Sequence, residues 1–259
     1  MAPHAFVIPC LSRAALAIAL ALAATSAAAA AGHTVVSLVG REFTLVQYRP
    51  AIGSNASRDT SDRFAVGSAA LDDAAVLAAD DVIRKVRPDV RAKLLRAGDD
   101  VAQMQEAWAS SGKVDVAALL DRLGAAVDRG PGDRLILIAS ELRPIRMKIE
   151  YGDLRSTRVA GLGFFLDRDR VLARDAQYQT GVGVLGVFAN FRVLVIDTER
   201  AAIVAEEGVS AGTAVSAGRA SDGDPWNALS SEAKISALRE LLTREIGTLL
   251  PDLLRKPGA

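Results

Sequence analysis

A short and almost uninterrupted apolar run, Arg134–Ser140 (RLILIAS), constrains the fold of this chain more than any other segment. An alternating strand can leave one face in water, whereas a continuous run of this length is typical of a strand buried on both faces of a sheet. Such a sheet needs helices to cover it, and amphipathic segments occur before and after the run. The sequence therefore predicts an α/β or α+β fold built around a central mixed sheet.

We expect about six strands in that sheet, near residues 34–40, 134–140, 145–151, 156–166, 188–197 and 201–208. The last two form a predicted hairpin, and Glu42–Tyr48 (EFTLVQY) alternates as a half-exposed strand does. The crossover that joins the first strand to 134–140 predicts that these two are parallel and close. The composition of residues 49–62 and 211–228 is typical of loops.

The helices that cover the sheet are predicted at 69–87, 115–129 and 230–255, with one or two short helices in 89–111. Ser68, Asp115 and Ser230 or Ser231 are the expected N-caps. In the last segment, apolar residues recur in steps of three and four from Ile235 to Leu253, which predicts a long C-terminal amphipathic helix packed on the core.

Residues 1–31 have the order of a secretory signal peptide. A start without acidic residues ends on Arg13, an apolar run follows at 14–24, and small residues lead to a cleavage site within Ala27–Ala31. The run is too short to span a bilayer. We therefore predict removal of 1–31, a single globular α/β domain at 32–259, and a periplasmic location in a bacterium.

Cleavage at this site changes what chemistry the chain can do. It removes Cys10, which lies before the apolar run and so provides no lipid anchor, and it leaves His33 as the only histidine. Ordinary zinc sites and Ser–His–Asp catalysis are then excluded. Removing Arg13 from 31 basic and 31 acidic residues leaves a net charge of −1, which gives no field for nucleic acid. Asn190 and Arg192 argue against a membrane helix in 182–196, so we expect none in the mature chain.

Two glycine motifs suggest activities that their surroundings do not support. Gly181–Gly186 spells the dinucleotide fingerprint GxGxxG, but a strand-like run follows it where a helix is required. Gly208–Gly212 spells the nucleophile elbow GxSxG, but a loop-like segment follows and no histidine comes later. We interpret the first as a bend that allows close packing, and we reject the second as a catalytic site.

The acidic motifs also favour structural roles. Asp72, Asp73, Asp80 and Asp81 are interpreted as solvated helix charges rather than metal ligands. The pairs Asp167/Asp169 and Asp222/Asp224 are interpreted as turn residues because neither has the spacing of a calcium loop. We interpret four cations as part of an ordinary solvated surface: Arg146, Lys148, Arg155 and Arg158. Trp226 is interpreted as an aromatic anchor that packs the last loop onto the core. The sequence thus assigns no catalytic, cofactor-binding or metal-binding residue.

Three segments, VVSLVG at 35–40, GLGFFLD at 161–167 and PWNALS at 225–230, resemble a group of uncharacterised exported proteins of proteobacteria. That resemblance implies no activity. The segment at 191–210 (FRVLVIDTERAAIVAEEGVS) is similar to hairpins in CsgG-like and TolB N-terminal-type envelope domains. This second resemblance implies a helix-backed sheet that serves assembly rather than catalysis.

These observations favour a non-enzymatic interaction or accessory module of the cell envelope, with another envelope protein as its partner. Two alternatives stay open. One is a periplasmic hydrolase that uses carboxylates and arginines, for which facing acids lined by aromatics or a strongly perturbed carboxylate would speak. The other is a binder of a small ligand, expected under residues 49–62 or 167–182.

Overall fold

The computed structural model describes residues 32–49, 59–149, 152–172 and 181–256. The strands in this part are β1 Gly32–Ser37, β2 Glu42–Gln47, β3 Thr60–Ala65, β4 Arg91–Arg96, β5 Arg134–Ser140, β6 Arg143–Ile149, β7 Gly152–Val159, β8 Gly161–Leu172, β9 Gly181–Asp197 and β10 Ala202–Ser216. The α-helices are α1 Ala70–Val86, α2 Asp99–Ser111, α3 Val116–Leu123 and α4 Ser231–Arg255. The predicted α/β class is confirmed, with eight strands in the main sheet rather than about six.

The main sheet is mixed, in the order β3-β2-β8-β9-β5-β1-β4, and β10 pairs with the other edge of β9. Strand β1 runs parallel to both of its neighbours, β4 and β5, which confirms the predicted closeness of β1 and β5. Strand β2 is parallel to β8, and the remaining pairs are antiparallel. A separate two-stranded sheet is formed by β6 and β7.

Strand β9 belongs to both halves of the main sheet. Its first part pairs with β8 and its second part with β5, while β10 follows the opposite edge. Strands β5 and β8 therefore lie end to end, and the chain between them leaves the sheet as the β6–β7 hairpin.

Asn190 and Arg192 of β9 lie where the sheet forks, that is, where the partner of β9 changes from β8 to β5. The fully buried Asn190 donates from its amide nitrogen to the carbonyl oxygens of Arg143 and Val159, at 3.0 Å each. Arg192 donates to the carbonyl oxygen of Gly112 at the end of α2. Both side chains thus serve backbone groups that regular pairing leaves without partners.

Helices and the hairpin cover the sheet on two faces. Helices α1 and α4 pack on one face, against side chains such as Val35, Ile136 and Phe164. On the other face, α2 and α3 cover the half that contains β1 and β5. The hairpin covers the half that contains β8 through Ile145 and Met147. Within the described residues, no helix has both the length and the apolar character needed to cross a bilayer.

The helix caps agree with the sequence at two of three predicted sites. The Asp115 and Ser230 side chains accept hydrogen bonds from backbone amides in the first turns of α3 and α4. The prediction for Ser68 is wrong, because α1 begins at Ala70 and its N-cap residue, Ala69, provides no side-chain bond.

The predicted helix 115–129 is shorter than expected. It ends at Leu123, because Gly124 follows with a φ of 53°, a conformation that favours glycine and interrupts the helix. One 3-10 turn, Gly124–Ala126, continues the chain.

Two edge strands correct the sequence analysis. Arg91–Arg96 forms β4 within the segment expected to be helical, and Thr60–Ala65 forms β3 at the end of the expected loop 49–62, of which residues 50–58 lie outside the described residues. In the described chain each pairs on one side only, and most of its residues are exposed. Backbone bonding at a sheet edge needs no apolar alternation, so the pattern gave no signal.

The strand boundaries of the second half also differ from those predicted. The expected strand 156–166 is divided into β7 and β8 at Ala160, and Gly161 has a φ of 80°. Strand β10 continues to Ser216, so residues 211–216 form a strand rather than a loop.

Candidate functional site

A cavity formed by described residues lies where β1 ends and α1 begins. From β1 the chain passes through β2, β3 and α1 before it reaches β4 on one side of β1, and from β4 it reaches β5 on the other side by way of α2 and α3. Helix α1 lies on one face of the sheet, whereas α2 and α3 lie on the opposite face. This region lies outside the carboxyl ends of the parallel strands β1 and β4, the end of the strands at which open α/β sheets bind ligands.

This cavity has a volume of about 550 Å³, and we call it the α1 cavity. Ser37 and Asp72 contribute polar groups where β1 meets α1. Val66, Val76 and Leu95 contribute apolar side chains, and Gly67 and Ser68 lead into the helix. A mostly apolar wall with a few convergent polar groups is the usual construction of a small-molecule site.

Asp72 joins the two elements that meet at the α1 cavity. Its Oδ1 atom accepts hydrogen bonds from Ser37 Oγ at 2.7 Å and from the Gly40 amide at 2.9 Å. Gly40 must be glycine here, since a Cβ atom on it would lie 2.5 Å from the backbone nitrogen of Asp72. Burial raises the pKa of Asp72, and the Ser37 hydroxyl, the Gly40 amide and the charge of Arg41 oppose that rise.

Both arginines that line the α1 cavity already have acidic partners. Arg41 donates to Asp99 and to the carbonyl oxygen of Ala97. Arg96 makes bidentate hydrogen bonds to Asp73, from Nε to Oδ1 at 3.1 Å and from Nη2 to Oδ2 at 2.8 Å. The remaining charged residues of the lining, Glu42 and Asp72, are both acidic. The arrangement can therefore provide acceptor oxygens more readily than free cationic donors.

The four aspartates predicted to be solvated helix charges divide in the structure. Asp81 is exposed and pairs with Lys85 one turn later, as such charges do. Asp80 pairs with Arg84, but its side chain is only 14 % exposed, and Asp72 is half-buried beneath Ser37 and Gly40, so neither is the solvated charge that the sequence predicts. No group of three or more residues able to hold a metal ion occurs in the described parts of the chain.

The GxGxxG motif is a packing feature. Gly181 begins β9, so a strand follows where the fingerprint needs a helix. Gly183 has a φ of 105° and lies against Pro225, and a Cβ on Gly186 would lie 2.1 Å from Met147 Sδ. Missing side chains at these positions let the hairpin and the last loop approach the sheet.

The GxSxG motif lies within β10 and has the same role. Arg143 and Glu141 lie over Gly208, Met147 lies over Gly212, and Ser210 Oγ donates to the carbonyl oxygen of Pro144 at 2.7 Å. The hydroxyl thus binds a backbone acceptor of the hairpin. Small residues at alternate positions of β10 form a groove in which β6 lies.

Of the two other acidic pairs, Asp222 and Asp224 form a turn, as the sequence predicts, whereas Asp167 and Asp169 lie inside β8 at an irregularity of its pairing with β9, so the prediction for that pair is wrong. Asp167 accepts from the Asp169 amide, Asp222 from the Asp224 amide, and Asp224 from the Trp226 amide. Trp226 packs edge-on against Phe164, which agrees with an aromatic anchor for the last loop.

The cations of the hairpin do not form a described cluster. The strand register places Arg146 opposite Arg155 and Lys148 opposite Asp153. Arg158 donates to the carbonyl oxygen of Leu142. The side chains of Lys148 and Arg155 lie outside the described part of the structure.

His33 lies at the other end of β1, away from the α1 cavity. It is 2 % exposed, and in the described structure neither ring nitrogen makes a hydrogen bond of ordinary geometry. Burial lowers its pKa, and the charges of Arg87 and Arg134 act in the same direction, whereas Gly32 backbone and Asp89 act against it.

The sequence analysis missed the α1 cavity, and it expected a ligand under 49–62 or 167–182. Residues 50–58 and 173–180 lie outside the described residues. A signal was present: a buried strand that ends in a serine, a glycine three residues later, and an aspartate in the first turn of the next helix. Comparison of the chain with known protein families, curated proteins and solved structures gave no match, so the function has to be inferred from this geometry.

Proposed function

We propose that this chain is a non-enzymatic accessory module of the bacterial envelope that works by binding a small ligand in the α1 cavity. The observation that carries the proposal is the cavity itself, about 550 Å³ at the carboxyl end of β1. That volume lies within the range of roughly 300–1,000 Å³ usual for ligand sites.

The place of action follows from the leader. Its order of Arg13, apolar run and small residues supports export with cleavage within Ala27–Ala31, and hence the periplasm. The proposed partner is another envelope protein, which this chain would recognise when its ligand is bound.

A hydrolase is the second candidate, and one observation favours it. Asp72 lies in the cavity and burial raises its pKa, which is a property of some catalytic acids. Two observations count against it: Asp73 is bound by Arg96, and no described residue of the lining is aromatic. Turnover of any substrate in a panel of glycosides, esters and peptides, lost in Asp72→Asn, would favour this candidate over binding alone.

The proposal is tested by screening small molecules for a rise in melting temperature, since a ligand that prefers the folded chain stabilises it. Gly67 lines the cavity and a Cβ on it would meet nothing within 4 Å, so Gly67→Phe should fill the cavity without disturbing the fold. The matched control is Gly247→Phe, on the exposed surface of α4, where a Cβ also meets nothing.

We expect molecules that raise the melting temperature of the native chain and of Gly247→Phe but not that of Gly67→Phe. The proposal is wrong if no molecule stabilises the chain, or if stabilisation is the same in all three proteins.

A further inference from the structure

We infer that the ligand of the α1 cavity is an organic cation with N–H groups, a primary ammonium on a compact aliphatic body. This inference rests on the proposed function and specifies its ligand. Three features of the cavity carry it: an available carboxylate oxygen, an excess of acid, and walls without aromatic rings.

The available oxygen is Oδ2 of Asp72. The hydrogen bonds from Ser37 and Gly40 both end on Oδ1, so these two bonds hold the carboxylate in place without using its second oxygen. Asp72 lines the cavity, so an ammonium there could donate to Oδ2. Ser37 Oγ lies beside it and gives its proton to Asp72, so it keeps only acceptor lone pairs, one of which receives a long hydrogen bond of 3.5 Å from the Val39 amide.

The balance of charge favours a cation. Three acidic residues, Glu42, Asp72 and Asp73, and two arginines line the cavity. Each arginine is already paired with an acid, Arg96 with Asp73 and Arg41 with Asp99, so together they offer an anionic ligand little net positive charge. The positive end of the α1 dipole does not reverse this balance, because Asp72 and Asp73 already occupy the first turn.

The lining also distinguishes among cations. The described residues hold no cluster of metal ligands. Recognition of a quaternary ammonium uses aromatic faces, and the described lining has none. Val66, Val76 and Leu95 offer aliphatic contacts instead. A group that donates hydrogen bonds and carries a small aliphatic body fits both kinds of surface.

The test compares four probes that share one ring: cyclohexylamine, cyclohexanol, cyclohexanecarboxylate and trimethylcyclohexylammonium. Binding is followed at the amide resonances of Gly40 and Asp72 in the purified full chain. We expect cyclohexylamine to bind about tenfold or more tightly than each of the others, the gain typical of a charge-assisted hydrogen bond.

Asp72→Asn keeps an oxygen for Ser37 and Gly40 but loses the charge. It should weaken cyclohexylamine about tenfold and leave cyclohexanol unchanged, which shows that the cavity keeps its shape. The control is Asp81→Asn, on the same helix and paired with Lys85 outside the cavity, which should change neither affinity.

Each other outcome overturns the inference. If the alcohol, the carboxylate or the quaternary ion binds best at Gly40, the ligand class is wrong but the proposed binding function stands. The same holds if Asp72→Asn binds cyclohexylamine as tightly as the native chain. If no probe moves the Gly40 and Asp72 resonances and the wider screen also fails, both proposals are wrong.

Discussion

Each end of β1 adjoins a titratable side chain that is withdrawn from water, half-buried in the case of Asp72 and fully buried in the case of His33, but the surroundings of the two differ. At the carboxyl end, Asp72 has hydrogen bonds from Ser37 and Gly40 and borders a cavity. At the amino end, His33 is sealed between β4 and β5, opposite Ala92 and Arg134, and makes no ordinary hydrogen bond in the described structure. Burial alone therefore does not distinguish a site from a core residue, whereas partners and access do.

The largest effect on stability is expected from adding a methyl group at Gly40, beside the carboxyl end of β1. In Gly40→Ala the new methyl group would lie 2.5 Å from the backbone nitrogen of Asp72, so the loop or the first turn of α1 must move. We expect a loss of about 2–3 kcal/mol of unfolding free energy, as for overpacked sites, measured by urea denaturation. Gly67→Ala is the control, because its methyl group meets no atom within 4 Å. Equal stability of the two variants would contradict the close contact.

At the amino end, His33 should make stability depend on pH. Its folded pKa lies below the usual 6.5, so as pH falls from 6.5 toward the lowered value the unfolded chain takes up a proton that the folded chain refuses. Stability is then lost on acidification, by at most about 1.4 kcal/mol per pH unit for one proton.

His33→Leu should remove this loss. We would compare urea midpoints of the native chain and the variant from about pH 7.5 to about pH 5.5. If both midpoints fall by the same amount, His33 is not the group responsible.

Asp72, beside the carboxyl end of β1, should make stability depend on pH in the opposite direction to His33, and more weakly. The folded pKa of Asp72 is raised above its usual 3.8, so the stability it contributes is complete below 3.8 and is lost as pH rises through the raised value. The change should be smaller than that of His33, because hydrogen bonds from Ser37, Gly40 and Val39 and the charge of Arg41 oppose the effect of burial on the pKa of Asp72.

The measurement is the difference in unfolding free energy between the native chain and Asp72→Asn, followed from about pH 3.5 upward. That difference should shift in favour of the variant as pH rises. A shift toward the native chain would mean that the hydrogen bonds outweigh burial and that the folded pKa is lowered.

The sequence predicts best those elements whose apolar pattern reports their own burial. Strand β5 and helix α4 lie within one residue of their predicted bounds, because each packs through a continuous run or a regular stripe. Strands β3 and β4 were missed because an edge strand pairs through its backbone while its side chains stay in water.

The candidate site was harder to predict because it depends on contacts between distant segments. Asp72 has the sequence context of any first-turn acid, and only the approach of Gly40 from the end of β1 buries it. Asn190 argued correctly against a membrane helix, but its bonds to Arg143 and Val159 could not be inferred without knowing that the sheet forks there.

The β6–β7 hairpin, which leaves the sheet at this fork, restricts the size of the residues on the strands it covers, β9 and β10. A Cβ on Gly186 or Gly212 would collide with Met147 of β6, and one on Gly208 would meet the ends of the Arg143 and Glu141 side chains. Among relatives that join β5 directly to β8, we expect bulkier residues at these three positions, so this one trait would sort the lineage into two branches.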